Sequence, residues 1–185
     1  MTKTTHNTQY LKKLKAESSK LKANAGFTLI ETLVAISILL ISISAPLTIA
    51  ARGLASSYFA RDQITAFYLA QDAVEYIRNK RDENFLSNLA WLSGIPDATG
   101  ARFIVDTTNG NMTLCPVDGC GALLYNTATG FYGYDDPEGV ESKFVRSVSV
   151  ETISAEEAVI EVSVSWSTGA LERSFSVTEN IFDWQ

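Results

Sequence analysis

The only histidine of the 185-residue chain, His6, lies in a lysine-rich N-terminal stretch with no other potential ligand beside it. Ser-His-Asp and Cys-His nucleophiles need an imidazole base, and most catalytic zinc sites need histidine ligands, so the sequence points away from these chemistries. Cys115 and Cys120 enclose Pro116-Val117-Asp118-Gly119, a turn-prone run that can bring the two sulfurs together. Further ligands for a two-cysteine metal site are lacking. A disulfide is the expectation if this segment is exported to an oxidising compartment, although the spacing alone does not guarantee bridge geometry. Asp135, Asp136 and Glu138 cluster in GYDDPEG, with Glu141 close behind. That cluster reads either as an oxygen-rich calcium loop, off the EF-hand spacing, or as a solvated acidic turn around Pro137. Tyr125, Phe131, Tyr132 and Tyr134 fall in a glycine-bearing loop region, as a contact surface or as pins for a long loop. No Walker loop, dinucleotide glycine fingerprint or internal repeat is present, so no cofactor is expected and the chain does not read as an enzyme.

One further ionisable group stands out by its surroundings. From Phe27 to Ala51 the sequence runs FTLIETLVAISILLISISAPLTIAA, 25 residues in which Glu31 alone can carry charge. About 20 mostly apolar helical residues span a bilayer core, so this stretch is a transmembrane candidate. A carboxylate at the centre of such a helix costs about 2.5–3.5 kcal/mol, and less near an interface. Glu31 lies four residues from Phe27, close enough to an end to snorkel to the headgroups. Burial among packed helices would instead require a partner charge, which a free amino terminus on an adjacent chain can supply.

The charge distribution orients this segment. Residues 1–26 hold 6 of the 15 basic residues (Lys3, Lys12, Lys13, Lys15, Lys20 and Lys22) and 1 of the 21 acidic ones. The remaining 9 basic and 20 acidic residues leave the rest of the chain at −11. The positive-inside bias keeps the lysines cytoplasmic and places the C-terminal part outside. No Lys/Arg cluster follows residue 26, so direct nucleic-acid binding is not expected. An ordinary secretory signal is cut after its apolar core. Here the small-residue run Ala23-Asn24-Ala25-Gly26 precedes the core, so cleavage at Gly26–Phe27 would discard the leader and keep the anchor.

In Gly26, Phe27, Thr28, Leu29, Ile30 and Glu31, followed by the long apolar run, the sequence resembles the prepilin family of type IV pilins and type II secretion pseudopilins. The resemblance implies cleavage by a prepilin peptidase after Gly26 and N-methylation of Phe27. It also implies that Glu31 pairs with a neighbouring subunit's N-terminal amine to set assembly register. Implied partners are other pilin or pseudopilin subunits, the peptidase, an inner-membrane assembly platform and the lipid bilayer. The implied location is the cytoplasmic (inner) membrane, single-pass with the N-terminus cytoplasmic, then a cell-surface or periplasmic filament. The stretch AFYLAQDAVEYIRNKRD (residues 66–82) is similar to the minor pilin V and minor pseudopilin I group, which suggests a minor subunit. The alternative is a single-span anchored protein whose exported domain binds a ligand without assembling.

The elements that position these residues follow from periodicity. Pro46 cannot donate to the carbonyl of Ser42, which predicts a kink, with the Ser42 and Ser44 hydroxyls available to freed backbone groups. Past Ala51, Ala60, Ile64, Phe67, Ala70 (or Gln71), Val74 and Ile77 form one apolar stripe. Arg61, Asp62, Asp72, Glu75, Arg78 and Asp82 lie opposite, with Arg78 and Asp82 spaced for a helical ion pair. One helix from about Phe27 to Phe85 is expected. Strands are expected at 101–107, at 143–152 with Arg146 interrupting the alternation, and at 158–166, where Ala158, Ile160, Val162, Val164 and Trp166 share a face. Thr168-Gly169 reads as a hairpin turn, with Leu171, Phe175 and Val177 on the return strand. A one-faced antiparallel sheet needs a cover, and the amphipathic helix half supplies it. The fold class is therefore α+β: a long N-terminal helix packed on a C-terminal antiparallel sheet. Its segments are a basic leader (1–26), a transmembrane half-helix (27–51), an amphipathic half-helix (52–89) and an exported β-rich domain (90–185).

Overall fold

The computed structural model of the protein describes residues 26–97, 100–169 and 171–183. The basic leader up to Ala25 lies outside the described residues. One helix, α1 (Leu29–Leu86), precedes seven strands: β1 (Phe103–Asp106), β2 (Asn111–Leu114), β3 (Ala122–Tyr125), β4 (Tyr132–Gly133), β5 (Val140–Thr152), β6 (Glu157–Thr168) and β7 (Leu171–Phe182). The chain divides between Arg52 and Gly53 into two compact units.

In the first unit every described residue is exposed, and α1 there is long and apolar enough to cross a membrane. Its serine hydroxyls bond back within the helix. Ser37 donates to the Leu33 carbonyl at 2.8 Å, Ser42 to Ile38 at 2.7 Å and Thr48 to Ser44 at 2.9 Å. Such back-bonding satisfies hydroxyls inside a lipid-facing helix. The helix assignment continues through Pro46. Ser42 and Ser44 donate to Ile38 and Ile41, so their hydroxyls do not serve the Ser42 carbonyl that Pro46 leaves without its helical donor.

The second unit builds its core between residues 53–86 of α1 and one face of the sheet. The buried stripe of α1 is Asp62, Ala66, Leu69, Ala70, Ala73, Val74, Ile77 and Asn84. It coincides with the expected stripe at Ala70, Val74 and Ile77 but turns away from it earlier. Ile64 and Phe67 remain exposed, at 56% and 45%. The expected stripe followed the largest apolar side chains. The sheet instead packs on Ala66, Ala70 and Ala73, all 0% exposed, whose small size allows close approach. Asp62, expected on the solvent side, is buried. The helix ends where Asn84 donates its amide to the carbonyls of Trp91 and Ser93, at 3.1 and 2.8 Å. Asn88 then turns left-handed at φ 54°, a common way to stop a helix.

β5 is the central strand. It pairs with β6 along one side, and β6 with β7; along the other it meets β1 at Val148 and β3 from Val140 to Val145. β2 and β4 flank β1 and β3, and all pairings are antiparallel. Phe144, Val148 and Val150 on β5 share the inner face with Ala158, Ile160, Val162, Val164 and Trp166 on β6. Each fully buried aliphatic or aromatic side chain contributes about 1.5–3 kcal/mol relative to exposure. Replacing the central valines would therefore unlock the helix from the sheet. The observed architecture is the expected α+β one, with β2, β3 and β4 as additions too short to show a period.

Candidate functional site

The N-terminal constellation forms where α1 begins. Gly26 and Phe27 precede the helix, and Phe27 is 77% exposed. Thr28 is the cap: its hydroxyl oxygen accepts from the Glu31 N–H at 3.3 Å, and its carbonyl from the Thr32 N–H at 3.1 Å. A threonine followed three residues later by glutamate is the capping-box pattern, a signal that the apolar run obscured. It fixes where the helix starts, and so holds Glu31 in the first turn, where a carboxylate complements the positive end of the helix dipole. Among the described residues nothing demands glycine at 26. Its φ lies outside the left-handed range, and an added Cβ would meet nothing within 4 Å.

The other sequence candidates occupy the second unit. Cys115 and Cys120 are joined by a disulfide, with Cα atoms 4.7 Å apart. The closed loop overhangs the outer sheet face and walls a groove of about 860 Å³ floored by Ser147, Ser163 and Ser165. Asp135, Asp136 and Glu138 do not converge, and among the described residues no three His, Cys, Asp or Glu side chains gather to hold a metal. Asp136 instead organises the turn, accepting from the Glu138 N–H at 2.9 Å and the Asn126 amide at 2.8 Å. These bonds order the turn around Pro137.

Asp106, which the sequence did not single out, anchors that region. Its carboxylate accepts from the Thr108 hydroxyl and N–H at 2.6 and 3.0 Å, and from the Tyr134 and Asp135 N–H groups at 3.0 and 3.1 Å. Burial pushes this carboxyl up, but the combined donors outweigh it and hold it below its ordinary value. Burial also raises the Tyr134 hydroxyl, which donates to the Arg146 carbonyl at 3.0 Å. The aromatic loop divides in role. Tyr125, Tyr132 and Phe144 form a chain of ring contacts at 4.8 and 6.0 Å, whereas Phe131 stays 68% exposed.

Arg146, which interrupts the β5 alternation, is fully buried on the inner face. Its guanidinium donates to the carbonyls of Leu69 at 2.9 Å and Val105 at 2.5 Å, and to Asp72 at 3.1 Å. One side chain thus ties α1, β1 and β5 together. Asp62 is met by the Lys143 ammonium at 2.5 Å, a charge contact without hydrogen-bond alignment. The expected Arg78–Asp82 pair does not form: Arg78 binds Glu75 at 3.0 Å and Glu179 of β7, while Asp82 binds Arg81 at 2.6 Å. The long-range Glu179, delivered by the sheet, outcompetes the weak helical spacing.

The second unit thus consists of structural polar anchors, and the N-terminal constellation is the one whose residues the fold leaves unexplained. Residues 21–45 match the model of the prokaryotic N-terminal methylation motif. No curated protein and no solved structure matches the chain. The chain therefore carries, at the start of its long apolar helix, the prepilin signature of type IV pilins and pseudopilins.

Proposed function

We propose that this chain is a structural subunit, of the minor kind, in a type IV pilus or type II secretion-like pseudopilus. A prepilin peptidase removes the leader after Gly26 and methylates Phe27. The processed chain sits once across the inner membrane with its second unit outside, until an assembly platform draws it into the filament. There the apolar helices bundle, and Glu31 of one subunit neutralises the N-terminal amine of another. The observation that carries this reading is the methylation motif at the start of an apolar helix whose residues 29–52 are all exposed among the described residues. Burial of that helix against other chains recovers roughly 25 cal/mol for each Å² of apolar surface removed from water. Gly26 adds support: an identity that neither backbone conformation nor packing requires is free to serve an external reader such as a peptidase.

The test is the N-terminal mass of the chain co-expressed with a prepilin peptidase proven on a control substrate. A product starting at Phe27 with one added methyl group is expected. An intact Met1 leader would defeat the filament-subunit reading and leave a single-span anchored protein.

A further inference from the structure

β7 pairs with β6 in twelve consecutive residue pairs along one side and with no described strand along the other. An open edge is a template for another chain, and natural sheets blunt it by shortness, proline, lysine, a bulge or inward-pointing charge. β7 has 12 residues, an unbroken register, and neither proline nor lysine. Register places Arg173, Phe175, Val177 and Glu179 on the inner face, opposite Trp166, Val164, Val162 and Ile160. The two inner charges are already engaged: Glu179 pairs with Arg78, and the Arg173 guanidinium rests 5.1 Å from the Phe59 ring centre. The edges at the far side of the sheet, β2 and β4, have only 4 and 2 residues.

We propose that the free edge of β7 pairs antiparallel with β7 of a second copy of this chain, centred on Ser176. Occupant and register are selected by the same residues. Centring on Ser176 overlaps residues 171–181, sets Arg173 opposite Glu179 of the second copy twice by symmetry, and sets Phe175 opposite Val177. Moving the centre to Phe175 places Arg173 opposite Val177. Moving it to Val177 places Phe175 opposite Glu179. Opposite charges and aromatic–β-branched pairs are the favourable cross-strand combinations, so of the three registers the one centred on Ser176 is the best match. The faces agree as well: Ser174, Ser176 and Thr178 remain in water on both copies. Phe67 stacks edge-on to Phe175 at 5.8 Å yet stays 45% exposed, and it gains cover along the new seam.

A same-direction stack is the weaker arrangement. From the antiparallel pairings, β2 and β4 both run parallel to β7, so a neighbour in that stack offers at most 4 residues in parallel pairing. The two-fold reverses residues 53–86 of α1 between the copies. The contact is argued from the second unit alone and stands independently of the filament reading.

The test uses the full chain in detergent carrying Ser176→Cys; both native cysteines are bridged, so residue 176 supplies the lone thiol. On the two-fold, the two residue-176 Cβ atoms lie about 4.5–5.5 Å apart, near disulfide reach. Mild oxidation should give about tenfold more covalent dimer than Thr178→Cys, whose counterpart is Ser174. Mixing Ser174→Cys chains with Thr178→Cys chains should restore the yield. Equal yields from the three single variants, the mark of random collision, or no dimer from any of them, overturns the proposal.

Discussion

In residues 29–52 of α1 the serine and threonine hydroxyls fold back onto carbonyls three or four residues earlier, whereas in residues 53–86 Asp62, Asp72, Arg78 and Asn84 reach Lys143, Arg146, Glu179 and the Trp91–Ser93 turn. The first stretch is locally self-sufficient. Most of its residues are interchangeable with others of similar apolarity, and specificity concentrates at its start. The second stretch is defined by its long-range partners, so single polar substitutions there act on folding. The comparison separates two kinds of damage: failures of processing and assembly with an intact second unit, and failures of the second unit with intact processing.

Glu31→Ala should show the largest effect of the first kind. Filament incorporation, followed by immunoblotting sheared filaments, should fall to background while cleavage at Gly26–Phe27 and unfolding of the second unit stay unchanged. Normal incorporation would remove Glu31 from assembly and reduce it to an interfacial snorkelling residue.

Arg146→Met should be the strongest lesion of the second kind. Removing one partner of a buried charged cluster costs about 3–5 kcal/mol. The lower end is expected, because Asp72 is 49% exposed and can turn to water. Urea unfolding monitored by the fluorescence of buried Trp166 measures it, with leader processing unaffected. A loss below about 1 kcal/mol would mean that the methionine packs as a neutral substitute, as happens when whole ion clusters are replaced.

Asp106→Asn should cost less, about 1–3 kcal/mol, since an amide cannot accept from all four donors. Its pH signature is specific. A carboxyl held below its ordinary value in the folded state contributes stability that is fully present above the unfolded value, about 3.9. That contribution drains as pH falls through the lower folded value. The wild-type chain should therefore lose stability in this acid window, and the variant should show a shallower decline. Parallel acid limbs would show that Asp106 is not the group responsible.

These contrasts also explain what the sequence could reveal. Period-two alternation made β5, β6 and β7 legible, because the middle of each long strand alternates between a more buried and a more polar face. The apolar run with Gly26, Phe27 and Glu31 was legible because its signal is compositional. The phase of the α1 stripe between Ala60 and Phe67 was not, because alanines make the contact and larger residues remain outside. Arg146 looked like an interruption, since its partners come from Leu69, Asp72 and Val105, separated by 77, 74 and 41 residues. Asp106 was missed for the same reason: its donors at Tyr134 and Asp135 are 28 and 29 residues away.

The smallest expected effect lies at the junction between the two kinds of damage. Thr28→Ala removes the side-chain acceptor of the Glu31 N–H, and loss of an N-cap costs about 1 kcal/mol. In water a freed N–H finds a solvent partner; against apolar neighbours it does not, so the first turn should fray. A frayed turn leaves the Glu31 carboxylate in place chemically but less fixed in position. Hydrogen exchange at the Glu31 amide should quicken about fivefold, the equivalent of that 1 kcal/mol. Filament incorporation should fall between wild type and Glu31→Ala, and Thr28→Ser, which keeps the hydroxyl acceptor, should restore both. If Thr28→Ala quickens exchange yet assembles normally, then the carboxylate's charge matters to assembly and its preset position does not.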